Sequence, residues 1–204
     1  MWACADLDTG IARLADLTGI TAAFSGSHTG QGTRNALLSL GGDCYLEIIA
    51  PDPEQTLQGT FGGRLAKLTS SGLLSWAIAC RNLARYRLEL NHSGHFTTNV
   101  QTTTRENPAG EALTWQLLFV GQVPGAPFFI DWLDCAHPAT TSPLGCKLKS
   151  LIVRAPDVSR LAPLVGKVDR LSIESADAVG LYARIESPKG EVLLTPLATP
   201  TRFF

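Results

Sequence analysis

The chain is predicted to be an α+β protein built from three successive units, each running strand, helix, strand, strand, strand. Three observations predict this. The same order of apolar run, capped helical stretch and further apolar runs recurs three times in 204 residues. Two strand-like runs, Tyr45-Leu46-Glu47-Ile48-Ile49-Ala50 and Phe128-Phe129-Ile130-Asp131-Trp132-Leu133, each hold one carboxylate among apolar residues. At 45% hydrophobic and 17% charged residues the composition is that of a globular chain, long enough for one large core or two small ones.

The first unit, about residues 1–51, opens with the apolar Trp2-Ala3-Cys4-Ala5. Asp6-Leu7-Asp8 then supplies a helix cap, Ile11, Leu14 and Leu17 follow at helical spacing, and Gly19 is the stop. A strand over Thr33 to Leu40, a Gly41-Gly42-Asp43 turn and the Glu47 strand complete it as a hairpin. Residues 51–72 connect to the second unit, begin rich in Pro and Gly, and suit a helix over Arg64 to Leu68, as a connector or part of a lid. The second unit, about 73–134, starts with the run Leu73 to Cys80, caps a helix at Asn82, and breaks at Asn91-His92-Ser93-Gly94. Its later strands are expected over Phe96 to Thr103, Leu113 to Val120, and around Asp131. After a second linker, Asp134 to Gly145, the third unit, about 147–196, has strands at Leu148 to Arg154, Arg170 to Ser175, Leu181 to Ile185 and Glu191 to Thr195. Leu193 is aligned there with Glu47 and Asp131, so this unit lacks the acid and reads as structural. All three are expected within a single domain spanning 1–204.

A formal net charge of −1 and a pI near 6.4 leave no electrostatic footprint for nucleic acid or an anionic membrane. No window reaches the roughly 18 apolar residues of a spanning helix, and the N-terminal segment has no basic region followed by an apolar stretch. A cytoplasmic protein is expected, and the five scattered cysteines suit reduced thiols better than a disulfide framework. A G-x-S-x-G elbow and a phosphate-binding G-x-x-x-x-G-K-[ST] loop are both absent from the sequence.

The two acids focus the functional question. Strand side chains repeat every second residue, so Glu47 shares a face with Tyr45 and Ile49, and Asp131 with Phe129 and Leu133. A buried carboxylate without donors, a cation or a metal costs several kcal/mol, roughly, so each strand points to a polar pocket in an apolar wall. For Glu47 the alternative is a structural network with Asn35, which the Gly41-Gly42-Asp43 turn places on its face together with Leu37 and Ser39. Trp76, Trp115 and Trp132 are candidates for the floor of an aromatic ligand site, although large aromatics at strand spacing are more often core. Arg105 is expected either in an exposed loop beside Glu106 or holding an anionic group of a ligand. His28 and His137 fall in predicted loops, and His92 and His95 are expected to face solvent.

The unit order, with Gly26-Ser27-His28, Gly32-Thr33-Arg34-Asn35-Ala36-Leu37, Tyr45-Leu46-Glu47, and Pro127-Phe128-Phe129-Ile130-Asp131-Trp132 followed by His137-Pro138, resembles the glyoxalase-like domain family of the vicinal oxygen chelate superfamily. The resemblance covers nearly the whole chain. It implies paired βαβββ modules with mixed and antiparallel sheets curled into a half-barrel around a metal or ligand. It implies Glu47 and His28 as catalytic residues of a lyase or isomerase-type enzyme acting next to a carbonyl or enolate. Asn35, Thr33, Trp76, Arg105, Trp115, Asp131, Trp132 and His137 then contact a small-molecule ligand. It implies a divalent metal on Glu47, with Asp131 in the equivalent place of the second unit. The family's first-strand histidine falls before Met1, and Leu73 and Leu74 stand at the matching place of the second unit. That departure favours the alternative of a binding or sequestering protein without turnover. A third reading is a structural module whose unpaired third unit packs on another copy, giving a homodimer.

Overall fold

The computed structural model describes residues 1–106 and 110–198. Asp6 starts the first helix as expected: its carboxylate accepts the Thr9 amide at 2.8 Å, and Gly19 ends the helix in the left-handed region at φ 80°. The first unit runs β1 (Trp2–Ala3), α1 (Leu7–Thr18), β2 (Ala23–His28), β3 (Thr33–Ser39) and β4 (Tyr45–Pro51). Leu7 and Leu14 bury, but Leu17, expected on the same stripe, is exposed. Strand β2 is a correction to the sequence reading, which left Ala23 to His28 in a loop. Its Ser25-Gly26-Ser27 core has weak strand propensity, and pairing with β3 on one side and with the strand ending at Glu106 on the other holds it extended.

A short helix α2 (Phe61–Leu65) and strand β5 (Gly72–Leu73) precede the second unit, which runs β6 (Ala77–Ala79), α3 (Leu83–His92), β7 (Phe96–Thr97), β8 (Gln101–Glu106), β9 (Ala112–Gly121) and β10 (Phe128–Asp131). The expected continuous strand over Leu73 to Cys80 is split. Leu73 pairs antiparallel to β1, whereas Ala77 to Ala79 pair parallel to β10, so the run crosses from one edge of the sheet to the other. After α4 (Pro138–Thr141), the third unit runs β11 (Lys147–Ala155), α5 (Val158–Val165), β12 (Leu171–Ser175), β13 (Gly180–Ser187) and β14 (Gly190–Leu194).

The element order repeats three times; the strand order does not. The first two units lie as β1-β4-β3-β2 and β6-β10-β9-β8, joined at Ser27 and Glu106 into one open sheet edged by β5 and β6. The third forms its own sheet, β12-β11-β13-β14, in which the first strand lies beside the second. Leu193 therefore has no topological relation to Glu47: it sits on an edge strand and is 48% exposed.

One face of the large sheet carries Leu38, Ile48, Leu118 and Phe129, all nearly fully buried. Leu7 and Leu14 of α1, Leu83 of α3, and Val153 and Ile185 of the third sheet close over that face as one continuous core. Each such side chain contributes roughly 1.5–3 kcal/mol by burial. The apolar side of the third unit is thus spent inside its own chain. Its last segment also reaches the first unit: the Leu73 amide donates to the Thr195 carbonyl and the Leu197 amide to the Leu73 carbonyl, both at 2.9 Å, while Leu197 packs with Ala3, Ile49 and Leu65.

Candidate functional site

The opposite face of the large sheet curls around a cavity of about 340 Å3, within the size range of small-molecule sites. Strands β3 and β4 turn Thr33, Asn35, Leu37, Tyr45, Glu47 and Ile49 toward it; β8, β9 and β10 with the residue that follows contribute Arg105, Trp115, Leu117, Phe119, Phe128, Ile130 and Trp132. The register explains the first wall. Leu37 lies directly opposite Glu47 and Asn35 opposite Ile49, so Asn35 reaches Glu47 on the diagonal. A β-bulge between Phe24 and Gly26 shifts the phase of β2, so that His28 faces the cavity opposite Thr33 while Phe24 points out to solvent.

These side chains form one polar chain. Arg105 Nη1 donates to Asn35 Oδ1 at 3.0 Å, and Asn35 Nδ2 donates to Glu47 Oε1 at 2.7 Å. Because a guanidinium is donor only, it fixes the Asn35 amide with its oxygen toward Arg105. The amide nitrogen then also faces His28 Nε2, at 3.5 Å, which must act as acceptor. The imidazole proton consequently belongs on Nδ1, which lies 3.0 Å from Thr33 Oγ1. Burial, the main cause, lowers the His28 pKa, with Arg105 adding to this and Glu47 opposing it from 4.0 Å, so the ring is neutral near pH 7. Burial, reinforced by Glu47, also raises the Tyr45 phenol, which stays a donor. The Trp115 ring stands edge-on to His28 and lies beneath the Arg105 guanidinium, 5.7 Å from its carbon.

Seven predicted residues are brought together: Glu47, His28, Asn35, Thr33, Arg105, Trp115 and Trp132. Arg105 is neither in a loop nor exposed; it lies on β8 and is 4% exposed. Three predicted residues lie elsewhere. Asp131 shares a face with Phe129 as expected, but that is the core face; its carboxylate accepts the Asn82 amide at 2.8 Å and the Leu133 amide at 3.0 Å, tying α3 to the end of β10. Ile130 has the cavity position that Asp131 was expected to occupy. Trp76 is core, donating to the Gly125 carbonyl at 2.8 Å. His137 caps α4 through Nδ1 and stacks edge-on behind Tyr45 and Trp132.

The sequence reading missed Tyr45 and Ile49 as lining residues, although their alternation with Glu47 was the available signal. Phe61 and Arg64 had no such signal: they come from α2, and α2 reaches the cavity because Gly62 presses against the Gly32 backbone, where a Cβ would overlap the Gly32 carbonyl.

The donor set does not fit the divalent metal that the resemblance implied. A hard or borderline divalent ion needs about four to six donors. Here Glu47 and His28 offer two, Glu47 Oε1 is already bonded to Asn35, and Asp131 points away. Among the described residues no group of three or more His, Cys, Asp or Glu is placed to hold a metal. No helix among the described residues is long and apolar enough to cross a membrane.

Among solved structures, a hypothetical protein from Staphylococcus aureus is similar in fold, at 16% identity over 78% of this chain and 79% of that one, with a TM-score of 0.59. Methylmalonyl-CoA epimerase from Mycobacterium tuberculosis matches at 20% identity over 64% and 83%, with a TM-score of 0.45. A Streptomyces coelicolor methylmalonyl-CoA epimerase variant in complex with 2-nitronate-propionyl-CoA matches at 17% identity over 64% and 91%, with a TM-score of 0.43. The search of curated proteins gave no match. The family model of the glyoxalase-like domain matches residues 1–168, the two paired units and the start of the third, and the chain belongs to that family.

Proposed function

We propose that this single-domain protein binds a small organic molecule in the cavity and that Glu47 moves a proton at a carbon next to a carbonyl, as in a lyase or isomerase-type reaction. The observation that carries this reading is a carboxylate that lines the cavity, faces its aromatic and aliphatic wall, and is held from one side only. Asn35 bonds Oε1, while Oε2 has no hydrogen bond among the described residues. In the proposed step Oε2 takes the proton from the carbon, and the bond's electron pair moves onto the carbonyl oxygen as an enolate. Return of a proton to the opposite face of that carbon, or to a neighbouring atom of the enolate system, gives isomerisation; departure of a group from the adjacent carbon with its bonding electron pair gives a lyase outcome. The Tyr45 hydroxyl, kept protonated by burial, supplies a donor for the enolate oxygen. Asn35 is a positioning residue, since both ends of its amide are already engaged by Arg105 and Glu47.

The test is solvent deuterium exchange. Wild-type protein is incubated in D2O with a panel of 2-oxo acids, 1,3-dicarbonyls and acyl thioesters, and loss of the α-proton signal is followed by NMR. Exchange is expected in at least one compound, and Glu47→Gln is expected to slow it by about 10²–10⁴-fold while the compound still binds. Binding without turnover is the second reading, favoured by the wholly apolar Ala77-Ile78-Ala79 that form β6, the first strand of the second unit. Compounds that bind without any exchange would select it.

A further inference from the structure

We infer that the ligand carries a carboxylate, received on the Arg105 side of the cavity, with an apolar body lying along the β9 and β10 wall. The inference rests on the cavity being a ligand site, and it names the class of ligand.

Arg105 is buried and lines the cavity. Its Nη1 is satisfied by Asn35, but its Nε has no acceptor, and it makes no ion pair among the described residues. The second orphan is close by: Trp132 also lines the cavity, and its buried Nε1 has no acceptor either. Trp115 connects the two, packing under Arg105 and against Trp132 at 5.3 Å between ring centroids. Buried donors almost always find partners within the protein. A buried guanidinium that lines the cavity with one hydrogen bond and no anion, next to a second lining side chain with an unpaired N–H, marks a place for an anionic group that the protein does not supply.

The rest of the wall decides the chemical class. Leu117, Phe119, Phe128 and Ile130 offer hydrocarbon surface, so the part of the ligand that lies along the β9 and β10 wall is apolar. A planar carboxylate matches the guanidinium fork in shape and charge. The Glu47 carboxylate does not fill this role, because Asn35 stands between it and Arg105.

The test uses matched pairs on the intact protein: phenylacetate, 3-phenylpropionate and hexanoate against their primary amides, with Kd measured by calorimetry and ligand-observed NMR. Wild-type protein is expected to bind at least one acid about tenfold or more tighter than its amide. Arg105→Met is expected to erase that preference while retaining amide binding. Trp132→Phe, which removes the N–H and keeps an aromatic ring, is expected to weaken the acid a few-fold and leave the amide unchanged. If Arg105→Met fails to fold, Arg105→Lys keeps the charge, loses the planar fork, and is expected to weaken the acid selectively. Equal binding of acids and amides, no binding of any acid, or a preference that survives the Arg105 and Trp132 variants overturns the inference. Deuterium exchange keeps the two readings separable. Selective acid binding without exchange in any compound leaves the inference standing and the catalytic reading lost; equal exchange in acids and neutral amides does the reverse.

Discussion

The wall built by β2, β3 and β4 and the wall built by β8, β9 and β10 have the same strand order, and each ends in a strand with one acid. The first turns His28, Thr33, Asn35 and Glu47 into the cavity. The second turns in mainly aromatic and aliphatic side chains, with Arg105 as the buried cation that reaches across to Asn35. The difference between Glu47 and Asp131 is one residue of strand phase. Glu47 alternates with cavity residues Tyr45 and Ile49; Asp131 falls between cavity residues Ile130 and Trp132 and so points into the core. Two acids in similar sequence settings therefore take different work, one facing the cavity and the other fastening a helix to a strand.

The largest expected effect is the loss of exchange in Glu47→Gln; an Asp131→Asn variant, in contrast, should retain exchange within a few-fold. If both variants lose it without unfolding, the division between the two walls is wrong. Next in size, Asp131→Ala leaves the Asn82 and Leu133 amides without their acceptor, and is expected to cost about 1–3 kcal/mol in urea unfolding, with ligand Kd unchanged once the protein is folded. Asn35→Ala removes the link between Arg105 and Glu47 and should lower exchange about tenfold, less than loss of the base itself; an exchange rate equal to wild type would show that Glu47 needs no positioning.

The smallest effect is a pH dependence. His28 has its pKa lowered in the folded protein from the ordinary histidine value of about 6.5, chiefly by burial. The unfolded chain therefore binds the proton first, and stability is full above about pH 6.5 and falls as pH drops below it. Melting temperatures of wild type and His28→Gln, compared from pH 7.5 to 5.5, should show the steeper decline in wild type. Parallel curves would mean that the ring is not held neutral.

Much of the fold was legible because caps and periodicity are local. Asp6, Gly19 and the Thr33 to Glu47 hairpin declared themselves, and the Gly41-Gly42-Asp43 turn put Asn35 on Glu47's face. The phase of Asp131 was not legible, because Phe129 and Ile130 are both apolar and the strand is buried on both faces, so alternation cannot distinguish core from cavity. The split of Leu73 to Cys80 was hidden for a different reason: its partners, β1 and β10, are far apart in sequence. His28 reads as a loop residue in the sequence because the bulge that turns it inward is written in Ser25 and Gly26, which look like a turn.

The contact of Leu73 with residues 195–197 has a consequence for the order of assembly. On a ribosome, β1 and β5 emerge long before Thr195 and Leu197, so the outer edge of the sheet stays uncovered while the second and third units are still being made. During that interval the unpaired edge and the apolar patch of Ala3, Ile49 and Leu65 are open to strand addition by other nascent chains. Closure of Leu73 on Thr195 and Leu197, far along the chain, is slow compared with local hairpin and helix formation. The first unit is the earliest to be synthesised and one of the last to be finished.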